Sequence, residues 1–350
     1  MRWDEQRVEN DLRLPGVGDG TVVRTFDAPE AMGINFHEVR ARSALNHVPG
    51  SRYGFSWTIN PFRGCTHACK YCFARRTHNY LDFGPGKDFE REIVVKVNVP
   101  ELLRAELRRP SWKRELVALG TNTDPYQWVE SRYRMMPEIL AALEAAETPV
   151  SVLTKSPLVL RDVEIYERMA KVLPISVNLS IPTLDEEAWR ATEPHTPSPA
   201  ARLEAVAELR SRGIDSGVLI APLMPGINDD PDQVRPLVEQ AKAAGATFLG
   251  SVALHLRGEV KDVFFAWLEA KRPDLLPRYE ALYRDRAYMR PEQRRHATRA
   301  VKGWGRGRAS RQRDSRAGGD DREDSPDRES PRSETGPARQ SSPVHQGSLF

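Results

Sequence analysis

Cysteine is almost absent from this chain, with three among 350 residues. That scarcity excludes a small secreted scaffold held together by disulfides. An excess of one charge is lacking too. The 52 lysines and arginines nearly cancel 49 aspartates and glutamates, leaving a formal net charge of +3. A uniformly basic nucleic-acid coat is therefore excluded, though a local basic patch is not. No run of 18 apolar residues occurs, so no membrane span is expected. The opening segment, MRWDEQRVENDLRL, is charged and has no apolar stretch, which predicts no secretory signal and a cytoplasmic protein.

What is present is periodic in the middle and irregular at both ends. Residues 1–50 are polar and dotted with Gly and Pro, and read as an irregular N-terminal arm. Residues 51–260 alternate short apolar runs with helical patterns. The predicted strands are Gly54–Asn60, Leu116–Gly120, Val150–Thr154, Ile175–Ile181, Gly217–Pro222 and Thr247–Leu254. Most end in Gly, Pro, Ser or Asn, as buried parallel strands do. Predicted helices cover Pro100–Arg109, Pro137–Glu147, Asp162–Leu173, Pro199–Arg212 and Pro231–Ala244. Such alternation means βαβ units, arranged either as an open doubly wound α/β sheet or as a full or partial barrel. Residues 261–302 read as a helical extension and 303–350 as a disordered tail. Positions 290–316 carry ten Lys or Arg against two acids, and 317–330 six acids against two Arg. Segments so polar cannot bury enough surface to offset their chain entropy.

All three cysteines fall within eight residues, in Asn60-Pro-Phe-Arg-Gly-Cys65-Thr-His-Ala-Cys69-Lys-Tyr-Cys72-Phe73. This C-x3-C-x2-C loop follows the first predicted strand and sits at the C-terminal edge of the sheet. Three close thiolates suit either zinc or an iron–sulfur cluster. Structural zinc needs four ligands, and here His67 or His78 would have to supply the fourth, since no second cysteine pair exists. A [4Fe–4S] cluster needs no fourth protein ligand if one iron is left open.

The spacing, with aromatic Tyr71 before the last cysteine, matches the motif of radical S-adenosylmethionine (SAM) enzymes. From Tyr53 to Leu256 the chain resembles their spore photoproduct lyase-like branch, through GTNTDPYQWVE, LTKSP and SVNLSIPT after the second, third and fourth predicted strands. The resemblance implies a partial (β/α)6 barrel of the TIM type. It implies a cluster on Cys65, Cys69 and Cys72 whose open iron chelates SAM. Reductive cleavage of SAM would then give a 5′-deoxyadenosyl radical that abstracts a substrate hydrogen, with flavodoxin or ferredoxin as reductant. DNA or nucleotides, in repair, are the implied substrates. Modification of RNA or peptide is a second enzymatic reading, and a zinc-stabilised nucleic-acid-binding protein a non-catalytic one.

Several side chains would surround SAM. Thr123 and Asp124 leave the second strand, Lys155 ends the third, and Asn178 and Ser180 share a face of the fourth with Ser176. Tyr71 and Phe73 would border the adenine, although core packing accounts for them equally. Glu193 and His195 serve substrate, SAM or merely the turn that carries them. The Gly-Gly-Glu common in radical SAM enzymes is missing. So is the additional cysteine with which spore photoproduct lyases return a hydrogen atom, for which Tyr126 is a candidate substitute. Finally, Gln346-Gly-Ser-Leu349-Phe350 resembles the pentapeptide that binds the bacterial sliding clamp, with Leu349 and Phe350 for an apolar pocket and Gln346 for its rim.

Overall fold

The computed structural model describes residues 8–10, 22–28, 31–49 and 54–301. The stretch expected to be irregular contains β1 (Val8–Asn10), β2 (Val22–Thr25), β3 (Asn35–Val39) and β4 (Leu45–His47), which corrects that reading. After β5 (Trp57–Ile59) and β6 (Phe62–Arg63) come a 3-10 helix (Phe73–Leu81), α1 (Asp88–Arg91) and β7 (Glu92–Lys96). Next are α2 (Val99–Leu107), β8 (Val117–Leu119), α3 (Glu130–Tyr133), α4 (Met135–Ala145) and β9 (Val150–Thr154). The alternation continues through α5 (Val163–Ala170), β10 (Ile175–Ser180), α6 (Glu186–Thr192), α7 (Pro199–Ser211), β11 (Val218–Leu223), α8 (Pro231–Ala243) and β12 (Leu249–Ala253). Helices α9 (Val260–Lys271), α10 (Leu276–Tyr283) and α11 (Pro291–Ala297) follow. The tail expectation, including Gln346, Leu349 and Phe350, lies outside the described residues.

Strands β5, β8, β9, β10, β11 and β12 run parallel and stand side by side in chain order. A doubly wound sheet reverses its order at a switch point, and this one never does. The result is the partial (β/α)6 barrel, with β4 antiparallel to β5 at one margin and β12 at the other. The strands are ordered by burial: Val150, Val152, Ile175, Val177, Leu179, Val218 and Ile220 are almost fully buried under the surrounding helices. Helix α7 shows how the local signals act. Ser198 caps it by accepting from the Ala201 amide at 3.2 Å, Pro199 fills its first turn, and Gly213 takes φ +75° just past its end.

A second sheet, in the order β1-β2-β3-β7-β6, packs beside the barrel. Its inner face places Phe36, Phe62, Ile93 and Val95 in the main core. The C-terminal helices build a separate apolar cluster, in which Phe264, Tyr279 and Tyr283 pack with Met224, Cys69 and Tyr71. Among the described residues no helix is long and apolar enough to cross a membrane.

Candidate active site

The cysteine loop leaves β6 and is fixed from several sides by groups that are not cysteine. Gly64 has φ +79°, and a Cβ there would meet His78 Cε1 and Ile93 Cδ1 at 2.9 Å, so only glycine fits. The Cys65 amide donates to the Phe89 carbonyl at 3.0 Å. Buried Gln127 spans the start of the loop, accepting from the Thr66 amide at 2.9 Å and donating to the Gly64 carbonyl at 3.1 Å. Arg75 has no exposed surface and donates to the carbonyls of Cys69 (2.9 Å), Ala68 (3.1 Å), Pro85 (3.0 Å) and Gly86 (2.8 Å), and to the Glu90 carboxylate. The Lys70 amide reaches the Thr192 carbonyl at 2.9 Å, which joins the loop to the end of α6.

Beside Cys69 lies a buried polar group centred on Glu193. Lys155 Nζ contacts Glu193 Oε1 at 2.7 Å and donates to Ser180 Oγ at 2.8 Å. It also stands 5.6 Å from the Tyr71 ring centre, and the Tyr71 hydroxyl donates to Glu193. Arg202, fully buried, donates to Glu193 Oε2 at 2.7 Å and to the Ser180 carbonyl at 2.8 Å. Burial alone would raise the Glu193 pKa. Lys155 and Arg202, aided by the hydrogen bonds from Lys155 and Tyr71, reverse this and hold it at about 2. Tyr71 moves the other way, pushed well above its ordinary value by burial and by the Glu193 charge.

Of the residues expected from sequence, the structure brings Tyr71, Lys155 and Ser180 together next to the cysteines. Phe73 lies at the exposed rim (45% exposed), and half-buried Asn178 lies on the same strand as Ser180. Thr123 is turned inward, its hydroxyl donating to the Phe62 carbonyl at 3.1 Å. Both Asp124 oxygens are occupied: Oδ1 accepts from the Tyr126 amide (2.9 Å) and Thr154 Oγ1 (2.6 Å), and Oδ2 from the Lys155 amide (2.7 Å). His67 Nδ1 lies 3.4 Å from that same Oδ2. Asp124 thus ties the ends of β8 and β9 to the cysteine loop. Tyr126 is fully buried in the main core, its hydroxyl bonded to Asp162 (3.0 Å) and to Tyr166 (2.8 Å). His195 is exposed and stands outside the group.

Gln127, Arg75 and Arg202 were missed from sequence. Arg202 did leave a signal: with Pro199, Val206 and Leu209 it follows the helical spacing of the buried stripe of α7.

The donor set fits an iron–sulfur cluster. Cys65, Cys69 and Cys72 are free, and burial raises the pKa of each thiol, Cys69 to about 12. Cys65 is pushed up further by Asp124 and by the other two cysteines. Coordination to a cation reverses this preference, since a ligating thiol loses its proton. The Thr66 hydroxyl beside Cys65 is buried without a partner. Among the described residues no three His, Cys, Asp or Glu side chains are already gathered as a metal site, so holding a cluster requires the thiols to turn toward one centre. His67 meets Asp124 through Nδ1 alone, and His78 Nε2 bonds the Glu92 carbonyl at 2.8 Å while its Nδ1 is buried without a partner, so each imidazole keeps one ring nitrogen and the family match below, not the histidines, decides between zinc and a cluster.

Comparison with known proteins agrees with this donor set. Residues 59–235 match the family model described as the Radical SAM superfamily, and the chain belongs to that superfamily of enzymes. An uncharacterized protein of Mycobacterium tuberculosis is 47% identical over 301 residues, covering 84% of this chain and 88% of its own length. One of Methanocaldococcus jannaschii is 28% identical over 198 residues, covering 56% of this chain and 70% of its own. Among solved structures, spore photoproduct lyase complexed with dinucleoside spore photoproduct has a similar fold, with a TM-score of 0.56 and 16% identity over 83% of this chain and 86% of that one.

Proposed function

We propose that this enzyme holds one [4Fe–4S] cluster on Cys65, Cys69 and Cys72, cleaves SAM reductively, and acts on DNA or nucleotides in repair. The observation that carries the reading is the group of Lys155, Ser180 and Tyr71 gathered round Glu193 beside a loop of three free thiols. Bound there, cluster and SAM together supply a radical able to abstract hydrogen. The work of this chain's own residues is to bind, orient and exclude water. Lys155 presents an ammonium to the SAM carboxylate, and Arg202 keeps Glu193 neutralised while Lys155 is shared. Ser180 and Asn178 line the strand that faces the ribose or carboxylate, and Tyr71 borders the adenine, with Phe73 at the rim. Asp124 and Thr123 act by positioning, since their polar atoms already hold the ends of the strands. The nucleic-acid substrate is supported by the fold shared with spore photoproduct lyase and by the basic segment 290–316. The chain lacks a cysteine besides the triplet, so hydrogen return follows a different route from the thiol of that lyase.

The electron comes from outside, from a flavodoxin or ferredoxin in the cytoplasm. The pentapeptide with Gln346, Leu349 and Phe350 tethers the enzyme to a sliding clamp. Anaerobic reconstitution tests the chemistry: the protein should turn brown, absorb near about 400 nm and cleave SAM on reduction. Cys69→Ala should abolish cleavage. One tightly held zinc with no SAM turnover would overturn the reading. Product analysis with damaged and undamaged DNA tests the substrate. Deleting residues 346–350 should remove affinity for purified clamp, and equal binding without them would refute the tether.

A further inference from the structure

The third cysteine is followed by an exposed ring, and a row of aromatics continues from it across the barrel mouth. The Phe73 ring lies 5.8 Å from that of His255, which lies 5.3 Å from that of Tyr288. The row is built from three distant parts of the chain. Phe73 opens the 3-10 helix after the cysteine loop, and His255 stands just past the end of β12. Tyr288 belongs to the connection between α10 and α11, held there by a bridge to His255 and by the Leu256 amide donating to the Ala287 carbonyl at 2.8 Å.

Two arginines and one carboxylate stand at this rim. Burial first, then Arg257 and Arg76, push the His255 pKa down, and no carboxylate acts on it. Both arginines are exposed. The nearby carboxylate, Glu259, accepts from Asn79 at 2.8 Å. His255 Nδ1 is buried and has no partner, an unfilled hydrogen-bonding position within an apolar stack. Residues 289–301 carry Arg290, Arg294, Arg295 and Arg299 against a single acid, Glu292.

We propose that Phe73, His255 and Tyr288, flanked by Arg76 and Arg257, form a platform on which an unpaired base of a single-stranded nucleic acid stacks at the mouth of the barrel. The exposed Phe73 face takes the base, and the two arginines take the adjoining phosphates. Aromatic faces flanked by arginines are the pattern that binds single strands without strong sequence preference. The proposal rests on the reading that this enzyme acts on nucleic acid, and places that substrate against the cluster loop.

The test is fluorescence anisotropy of the reconstituted full chain with a short labelled oligothymidylate. Phe73→Ala and Tyr288→Ala should each weaken binding by about five- to a hundredfold. Arg76→Gln combined with Arg257→Gln, at two exposed positions that do not threaten folding, should weaken binding and lower the salt slope by about one to two. Unchanged affinity in all three variants, with melting curves like wild type, would overturn the platform. So would displacement of the oligonucleotide by an acidic peptide together with loss of binding only in the arginine variant, which would mark a merely ionic surface. SAM cleavage by wild type without nucleic acid is measured in parallel. Cleavage without oligonucleotide binding refutes the platform alone, and binding through these residues without cleavage refutes the catalytic reading alone.

Discussion

Glu193 has no exposed surface and sits between two cations, and that one carboxylate sets the electrostatics of the site. Its pKa is depressed from an ordinary 4.5 to about 2. The stability it contributes is therefore fully present above about pH 4.5 and is lost as pH falls toward 2. Glu193→Gln should cost about 3–5 kcal/mol at neutral pH, because Lys155 and Arg202 lose their counter-charge, and should flatten the acid limb of the stability curve. Urea titrations of both proteins between pH 2 and 7 check both effects. The thiols give a second expectation at this scale. With Cys69 raised to about 12, metal-free folded protein should alkylate there at least about a hundredfold more slowly at pH 8 than the urea-unfolded chain. Mass spectrometry of timed samples reads this directly. The cysteines were legible because spacing on a short loop is local information. Lys155 and Ser180 were legible as strand-end polar residues, whereas the contact of Arg202 with Glu193 depends on α7 docking against the end of β10, which no local pattern states.

Elements carry the next layer. Gly120 ends β8 with φ +85°, and a Cβ there would fall 1.8 Å from the Leu153 carbonyl oxygen on β9. Gly120→Ala should destabilise by roughly 3 kcal/mol or more, a change readable as a lower midpoint in thermal melting. Arg75→Met removes the donor set that shapes the cysteine loop and leaves four carbonyls and Glu90 short of a partner. The expected loss is about 3 kcal/mol together with poor iron retention after reconstitution. All six barrel strands and the five expected helices occur within a few residues of their sequence positions, since buried β-branched runs and helix caps are local signals. The second sheet was not legible. Its strands are two to five residues long, and β3 pairs with β7 across more than fifty positions, so their partners rather than their own pattern make them strands.

At the scale of the molecule, the cysteine loop is shaped by Arg75, Gln127 and Gly64 rather than by what it binds. Removing the metal by chelation should therefore bleach the chromophore while far-UV circular dichroism stays nearly constant, unlike a zinc finger, which unfolds without its ion. The partial barrel has a different exposure. A ring of strands that stops short leaves two margins, and a bare margin is a template for another chain. Here β4 takes up one side, while Ala287–Tyr288 lies along the exit of β12 and the short turn Arg299–Val301 packs against that strand. The residues after α10 thus cover part of the β12 margin. A chain cut before Tyr288 should pass from monodisperse to self-associating in light scattering even if its cysteine loop is intact, which would make the segment from Tyr288 to Val301 a guard for solubility.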